Sequence, residues 1–504
     1  MQHGPPNPTM SREDIQAYEG PHVPVSYNLI VKGNPEAVLK AVDSVYAALF
    51  VKGCADECVI VDTGSSNTEF KAIKGLEKLF PNLRVIRHKE LGVDYGPLCE
   101  KYLDTDLFNT YKEYSGNGKG LLSFAQARNI CMSHSRNDMI FWIDSDDVLA
   151  EEEQGLLRKA VNMIFTKTEL QQIFLDYDYE FGEDGVCTTT LRRERFFRKS
   201  QFMWKGNCHE TAVPRPDHGL GPVCFLEAVR SKIVHTDARK PHNISDIRNY
   251  LILRDEFEVT RAAGKLDPRT VFYLGNSARG LERFAEASSY YKYFDFRSGS
   301  GDDRFAAHYY QSQMFMDPRI KRPFDAMDHV MKCVEIKPED PRGYFALARI
   351  YGALQRWQAS IHWYEIGIRL ELPRDQAFSH DPTQIHYHPH VVAAHAYKEL
   401  RQADRALECA GRAYNFRPNN KDAQAMAKFF QNNLQGHKLA QAVVEVTRNT
   451  RYPSGLDAKR VALQTIDELQ AVPPALEKLG LGRIEPPEGR EEKPDINFFC
   501  GGSG

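Results

Sequence analysis

The chain has 504 residues, 42% of them hydrophobic and 26% charged, with a formal charge of −3. That length predicts about three or four domains, the balance is that of ordinary globular protein, and the near-neutral charge excludes a general basic surface for nucleic acid or anionic membrane, leaving only a local patch. The opening MQHGPPNPTMSREDIQAYEGPH lacks the apolar core of a signal peptide, and no later run approaches the roughly 20 apolar residues of a membrane span. Ten scattered cysteines without zinc-ribbon spacing point to reduced thiols. The expectation is a cytoplasmic protein that does not enter a membrane.

Residues 1–22 read as an N-terminal arm. From residue 23 to 244, short β-rich runs alternate with helical ones: VSYNLIVKG, NPEAVLKAVDSVYAALF, ECVIVDTGS, TEFKAIKGLEKLF and NLRVIRHK. This βαβαβ alternation predicts an α/β domain with a mostly parallel sheet and helices on its faces. Cys54 and Cys58 in CADEC read as structural. PLCEKYLDTDLFNTYKEYSGNGKG then reads as a mobile loop; its glycines form no P-loop, because Lys119 is followed by Gly120 rather than Ser or Thr.

FWIDSDDVL runs from an apolar strand into Asp144, Asp146 and Asp147. Open α/β sheets bind ligands at the carboxyl ends of their strands, so VIVDTGSSN and FWIDSDDVL would line one crevice. Asp144 and Asp146 can both turn toward one hard cation, which prefers oxygen ligands and would neutralise a diphosphate. Asp147 reads instead as the cap of a helix beginning at VLAEEE.

From 245 to 447 the pattern is almost entirely helical. Ala326 and Ala359 are 33 apart and Pro341 and Pro373 are 32 apart, with Ala287 and Ala406 at stretched spacings. This is close to the 34-residue tetratricopeptide period and predicts three to four helical hairpins stacked as a solenoid. His386, His388 and His390 in HYHPH read as an exposed turn between repeats. Residues 448–494 read as a helical, proline-rich linker. The tail 495–504, DINFFCGGSG, reads either as the first strand and turn of a further domain or as a frayed end.

SYNLIVKGNPEAVLKAVDSVYAALFVKGCADECVIVDTGSSNTE, FAQARNICMSHSRNDMIFWIDSDDVL, RRERFFRKSQFMWKGNCHETAVP and SKIVHTDARKP, in this order, resemble glycosyltransferase family 2, nucleotide-sugar-dependent enzymes of the GT-A fold. The two-part layout, such a domain followed by tetratricopeptide-like repeats, is similar to that of the peptide S-glycosyltransferases of glycocin bacteriocins. The resemblance implies that Asp62 contacts the base or ribose of the donor nucleotide, with Lys32 nearby. It sets Arg128 close to the nucleotide and the first acid of the DxD motif. Asp144 would face the ribose and the metal-bound phosphates, Asp146 the metal, and His235 would complete the metal site. The cofactors implied are Mn²⁺ or Mg²⁺ and a nucleotide-sugar, UDP-sugar by resemblance alone. The loop around 97–120 is longer than the family usually has there, and either borders the acceptor or is a surface excursion.

Inverting transfer also needs a base on the face opposite the leaving group. Glu210 in GNCHETAV is the first candidate and His209 the second; the alternative for Glu210 is a structural ion pair near RRERFFR. Trp204 either stacks on a sugar or belongs to the core. The acceptor could be a protein or peptide, a modified nucleobase or a glycan, and the repeats could support a homodimer. Two rivals stand beside the transferase. One is a peptide-binding repeat scaffold with a non-catalytic nucleotide-sugar domain; the other is nucleotidyl transfer, against which the lack of a basic Gly-rich triphosphate loop argues.

Overall fold

The computed structural model describes residues 11–449 except 115–118, 154, 168, 220, 237–241, 295–298 and 374–378. The tail at 495–504, and the linker beyond residue 449, lie outside the described residues. Two compact units are present: one drawn from Met1–Glu180, Thr189–Ala307 and Arg374–His380, the other from Phe181–Thr188, His308–Pro373 and Asp381–Gly504.

The first unit opens with α1 (Arg12–Gln16), β1 (Val25–Val31), α2 (Pro35–Leu49), β2 (Glu57–Asp62), α3 (Asn67–Gly75) and β3 (Leu83–Arg87). Local signals set these boundaries. Asn34 caps α2 ahead of Pro35, and Ser66 and Glu69 form a reciprocal capping box on α3. What reads in sequence as an arm is anchored: Ile15 and Tyr18 are buried in the main core. The expected loop at 97–120 is also ordered differently. After β4 (Gly92–Asp94) it forms α4 (Gly96–Tyr102) and α5 (Thr105–Tyr114), then β5 (Lys119–Leu121).

The unit continues with α6 (Phe124–Ser133), β6 (Met139–Trp142), β7 (Asp147–Glu151), α7 (Leu156–Lys167), β8 (Gln172–Phe181) and β9 (Cys187–Arg198). Then come β10 (Phe202–Lys205), β11 (Thr211–Pro214), β12 (Val223–Phe225) and β13 (Ser231–His235), followed by the helices α8 (His242–Ala262), α9 (Pro268–Gly280) and α10 (Phe284–Tyr293). The main sheet has the order β3-β2-β1-β6-β9-β8-β13-β7, with β12 added beside β8. The first four strands run parallel, as expected. The whole sheet is mixed, because β9 lies antiparallel to β6 and β7 antiparallel to β13. Both faces are covered: Tyr27, Leu29, Ile60 and Phe141 enter one core, while Ile30, Val59 and Val61 enter a second and Ile140 and Trp142 a third. Strands buried on both faces read as continuous apolar runs.

The helical hairpins share one turn. The chain goes on through α11 (Gly301–Phe315), α12 (Pro323–Ile336), α13 (Pro341–Ala353), α14 (Trp357–Gly367), α15 (Thr383–His386), α16 (His388–Glu399), α17 (Ala403–Phe416) and α18 (Lys421–Asn449). Glu282, Lys321, Gln355 and Arg401 all have positive φ, and each stands two residues before the second helix of a hairpin. A fully buried small residue follows at the same place in each second helix: Ala287, Ala326, Ser360 and Ala406. The sequence period was therefore off by one at the third hairpin, where Ser360 rather than Ala359 faces the first helix and donates to the Ala348 carbonyl at 2.8 Å. HYHPH is no exposed turn. It ends α15 and opens α16, with His390 buried against the Tyr364 hydroxyl at 2.9 Å.

Candidate active site

The chain stays in the sheet until it reaches the acids, since the Ile143 amide still donates to the Asn28 carbonyl at 3.2 Å. Asp144 follows and meets Arg128 from α6, a helix capped by Ser123. Arg128 is 6% exposed and lies over the Trp142 ring at 4.2 Å. Its Nη2 donates to Asp144 Oδ1 at 2.6 Å and its Nε to Glu210 Oε1 at 2.5 Å. One guanidinium thus binds two carboxylates, Asp144 from its own stretch of sequence and Glu210 from a separate one. Burial by itself would raise the Asp144 pKa; the guanidiniums of Arg128, Arg195 and Arg193 outweigh it and hold the carboxyl low. Burial opposes the charge of Arg128 as well, and the two carboxylates reverse that and raise its proton affinity.

Asp147 caps no helix. The residues after it form β7, and the antiparallel register sets Asp147 opposite His235. The ladder itself brings the two side chains together, Nδ1 to Oδ1 at 3.1 Å, and the Tyr177 hydroxyl donates to the same oxygen at 2.9 Å. Asp146 Oδ1 lies 4.0 Å from His235 Nδ1, and Tyr179 stacks on the His235 ring at 4.9 Å. Ligand atoms of Asp146, Asp147 and His235 all fall within 4.8 Å of one another, and they form the sole such trio among the described residues. Asp144, expected to share the metal, stands outside it and is tied to Arg128.

The trio fits a hard or borderline divalent cation. Two carboxylates and an imidazole suit Mn²⁺ or Mg²⁺, and Asp147 Oδ2 is a buried oxygen that accepts no hydrogen bond. Burial, with the charges of Asp144 and Asp146, pushes the Asp147 pKa up to about 6, against the His235 bond and Arg195. Burial would lower His235, but its bond to Asp147 and the neighbouring carboxylates leave it raised.

Arg195 and Arg193 escaped the sequence reading. Arg195 is fully buried between the rings of Trp142 at 4.0 Å and Tyr177 at 4.7 Å, with Nη2 3.7 Å from Asp147 Oδ2. Arg193 lies over Trp142 at 5.0 Å and donates to the Glu210 carbonyl at 2.8 Å. The available signal was the alternation in RRERFFR: residues two apart on a strand share a face, and two arginines on one face of an aromatic-rich strand need buried acids opposite.

The remaining candidates are placed less simply. Asp62 ends β2 with no exposure; Oδ1 accepts from the Ser65 amide at 3.1 Å and Oδ2 pairs with Arg87 at 3.2 Å. Lys32 is exposed and donates to the Lys119 carbonyl. His209 has φ 52° and stacks on Tyr273 of α9 at 4.1 Å. Burial first, then Arg269, Arg248 and Arg193, push its pKa down to about 3, which makes it a poor proton acceptor near neutrality. Trp204 is core, edge-on to Trp142 at 5.1 Å. A shallow cleft over α6 and β10, lined by Ser123, Gln126, Asn129, Trp204 and Lys205, includes Trp204 but none of the catalytic, nucleotide or metal candidates.

No family model matches the chain, and no curated protein does. Solved structures similar to it include YrrB, a TPR protein with an unusual peptide-binding site (16% identity, 36% of this chain and 84% of that one, TM-score 0.28). Others are MamA (16% identity, 35% and 95%, TM-score 0.28) and BtubC from P. vanneervenii (15% identity, 49% and 97%, TM-score 0.28).

Proposed function

We propose that the chain is a metal-dependent inverting glycosyltransferase with a GT-A-type domain, moving a sugar from a nucleotide-diphosphate donor, a UDP-sugar by resemblance, to a hydroxyl or thiol. The observation that carries this reading is the convergence of Arg128, Asp144 and Glu210 in one ion-paired cluster, with the next acids along the chain, Asp146 and Asp147, meeting His235 across the β7–β13 pair. A divalent cation held by that trio would supply Lewis-acid stabilisation of the departing diphosphate.

The chain's own groups divide the remaining work. Asp144, kept ionised by Arg128, accepts hydrogen bonds from the donor ribose. Asp62 and Lys32 border the base. The acceptor oxygen or sulfur bonds to the anomeric carbon from the face opposite the leaving group, the bond from that carbon to the β-phosphate oxygen breaks, and the electron pair departs with the nucleoside diphosphate. The acceptor proton passes to Glu210. Its Oε1 is occupied by Arg128, while Oε2 accepts no hydrogen bond among the described residues, and this leaves one oxygen for the proton. A protein or peptide is the acceptor class this reading favours.

Chromatography of nucleoside diphosphate released from UDP- and GDP-sugars in Mn²⁺ tests the proposal. Slow release from one donor, lost in Asp146→Ala and in His235→Ala, is expected. Release that is equal in both variants would contradict it.

A further inference from the structure

Two histidines of the first unit play no part in the transferase reading, and their rings face each other. His88 follows the last residue of β3, and its amide donates to the Asp62 carbonyl at 2.8 Å. His134 is the C-cap of α6, and its amide donates to the Ile130 carbonyl at 3.3 Å. Both backbones are thus held by regular elements. The two Nε2 atoms lie 3.2 Å apart, with the ring centroids at 5.5 Å and the planes tilted by 41°. On the other edge of its ring, His88 Nδ1 meets Glu90 Oε1 at 2.6 Å. Both histidines are partly exposed, so an ion from solvent can reach them.

The arrangement is directional. An ionised carboxylate only accepts hydrogen bonds, so Glu90 fixes the His88 proton on Nδ1 and turns the Nε2 lone pair toward His134. A carboxylate behind an imidazole is the support that a metal-bound histidine characteristically has. The His134 Nδ1 has no hydrogen-bond partner among the described residues, so its proton can sit there against water. A second lone pair then faces the first, and a cation between them removes their repulsion. Two nitrogens held by one zinc ion at about 2.0–2.1 Å in tetrahedral geometry are about 3.3 Å apart, and the observed separation of 3.2 Å matches that span. Burial, then the charges of His88 and Arg84, lower the His134 pKa and keep the ring in the neutral state that binds metal. Arg84 is itself paired with Glu57 at 2.8 Å.

We propose that His88 and His134 form a zinc site, with Glu90 as the positioning residue that orients His88 and with water in the remaining coordination positions. Imidazole nitrogens favour Zn²⁺ over Mn²⁺ and Mg²⁺, which prefer oxygen, so this pair differs in chemistry from the trio of Asp146, Asp147 and His235. The ion clips the end of β3 to the end of α6, 46 residues apart in sequence, and stabilises the fold according to its occupancy. Without the ion, the same rings share one N–H···N hydrogen bond.

The test is calorimetric titration of the full chain with ZnCl₂ near neutral pH, after metal is stripped with EDTA and the chelator removed. His88→Ala and His134→Ala are each expected to bind one equivalent of Zn²⁺ fewer than wild type. Glu90→Gln should keep that equivalent with its affinity lowered about 10- to 100-fold. Glu90 is exposed, so this variant keeps the proposal falsifiable should a histidine variant fail to fold. In Asp146→Ala, which alters the acidic trio alone, the histidine equivalent should remain, so this outcome does not depend on the transferase reading. Equal Zn²⁺ stoichiometry in wild type and both histidine variants, or no Zn²⁺ binding by wild type, would overturn the site. Unchanged affinity in Glu90→Gln would overturn the role given to Glu90.

Discussion

Arg128 is the hinge of the electrostatics. It carries two carboxylates on one buried guanidinium, so removing it takes away the cation to which both are hydrogen-bonded. Breaking a buried pair from one side costs about 3–5 kcal/mol, and Arg128→Ala should lower the unfolding free energy by that order in urea titration. Arg128→Lys should lose less stability, keeping one contact of the two. Asp147 sets a pH dependence of the metal-free protein. Its pKa rises to about 6 in the fold, so between about pH 4 and 6 the folded chain binds the extra proton, and stability falls as pH rises through that window, by up to about 3 kcal/mol. His235, with a raised pKa, acts in the same direction at higher pH, its contribution being lost as pH passes its folded value. Melting in EDTA from pH 4 to 7 should show this slope in wild type and a flatter one in Asp147→Asn.

The hairpin turns make a prediction of their own. Gln355 has φ 55°, a conformation that costs a residue with a Cβ about 1–2 kcal/mol. Gln355→Gly should be neutral or stabilising, and Gln355→Val should lower the melting temperature, because a β-branched side chain tolerates that φ least. The elements also show what a sequence reveals. The parallel strands were legible because both faces are buried, and α6 with β6 because their residues are local. β7 was misread as helix: Glu151 at its end and Glu152 and Glu153 just after it fit a helix start, and its strand state comes from pairing with β13, a contact remote in sequence. The same remoteness hid Asp147 from the metal trio. Residues 97–120 were read as loop because glycine dominates its end, while the segment draws its order from partners on α8 and at the cap of α10: Tyr102 donates to Asp255 at 3.0 Å, and Asp104, between α4 and α5, accepts from Arg283 at 2.7 Å.

The boundary between the units is also set by contacts. The helical pattern begins near residue 245, but α8, α9 and α10 belong to the unit that holds the candidate site. They support the loop before Glu210: Asn207 donates to Glu256 at 2.9 Å, Arg269 to the His209 carbonyl at 2.9 Å, and Tyr273 stacks on His209. A fragment ending at residue 307 should therefore melt cooperatively, and one ending at 244 should not, as followed by circular dichroism. The central claim is that the acids form a donor site. Its most direct measurement is calorimetric titration of the full chain with UDP- and GDP-sugars, with and without Mn²⁺, for wild type, Asp144→Ala and Asp146→Ala. Mn²⁺-dependent binding of one donor, lost in both variants, is the predicted result. A folded protein that binds no donor, or binds one equally well without Asp146, would contradict the account.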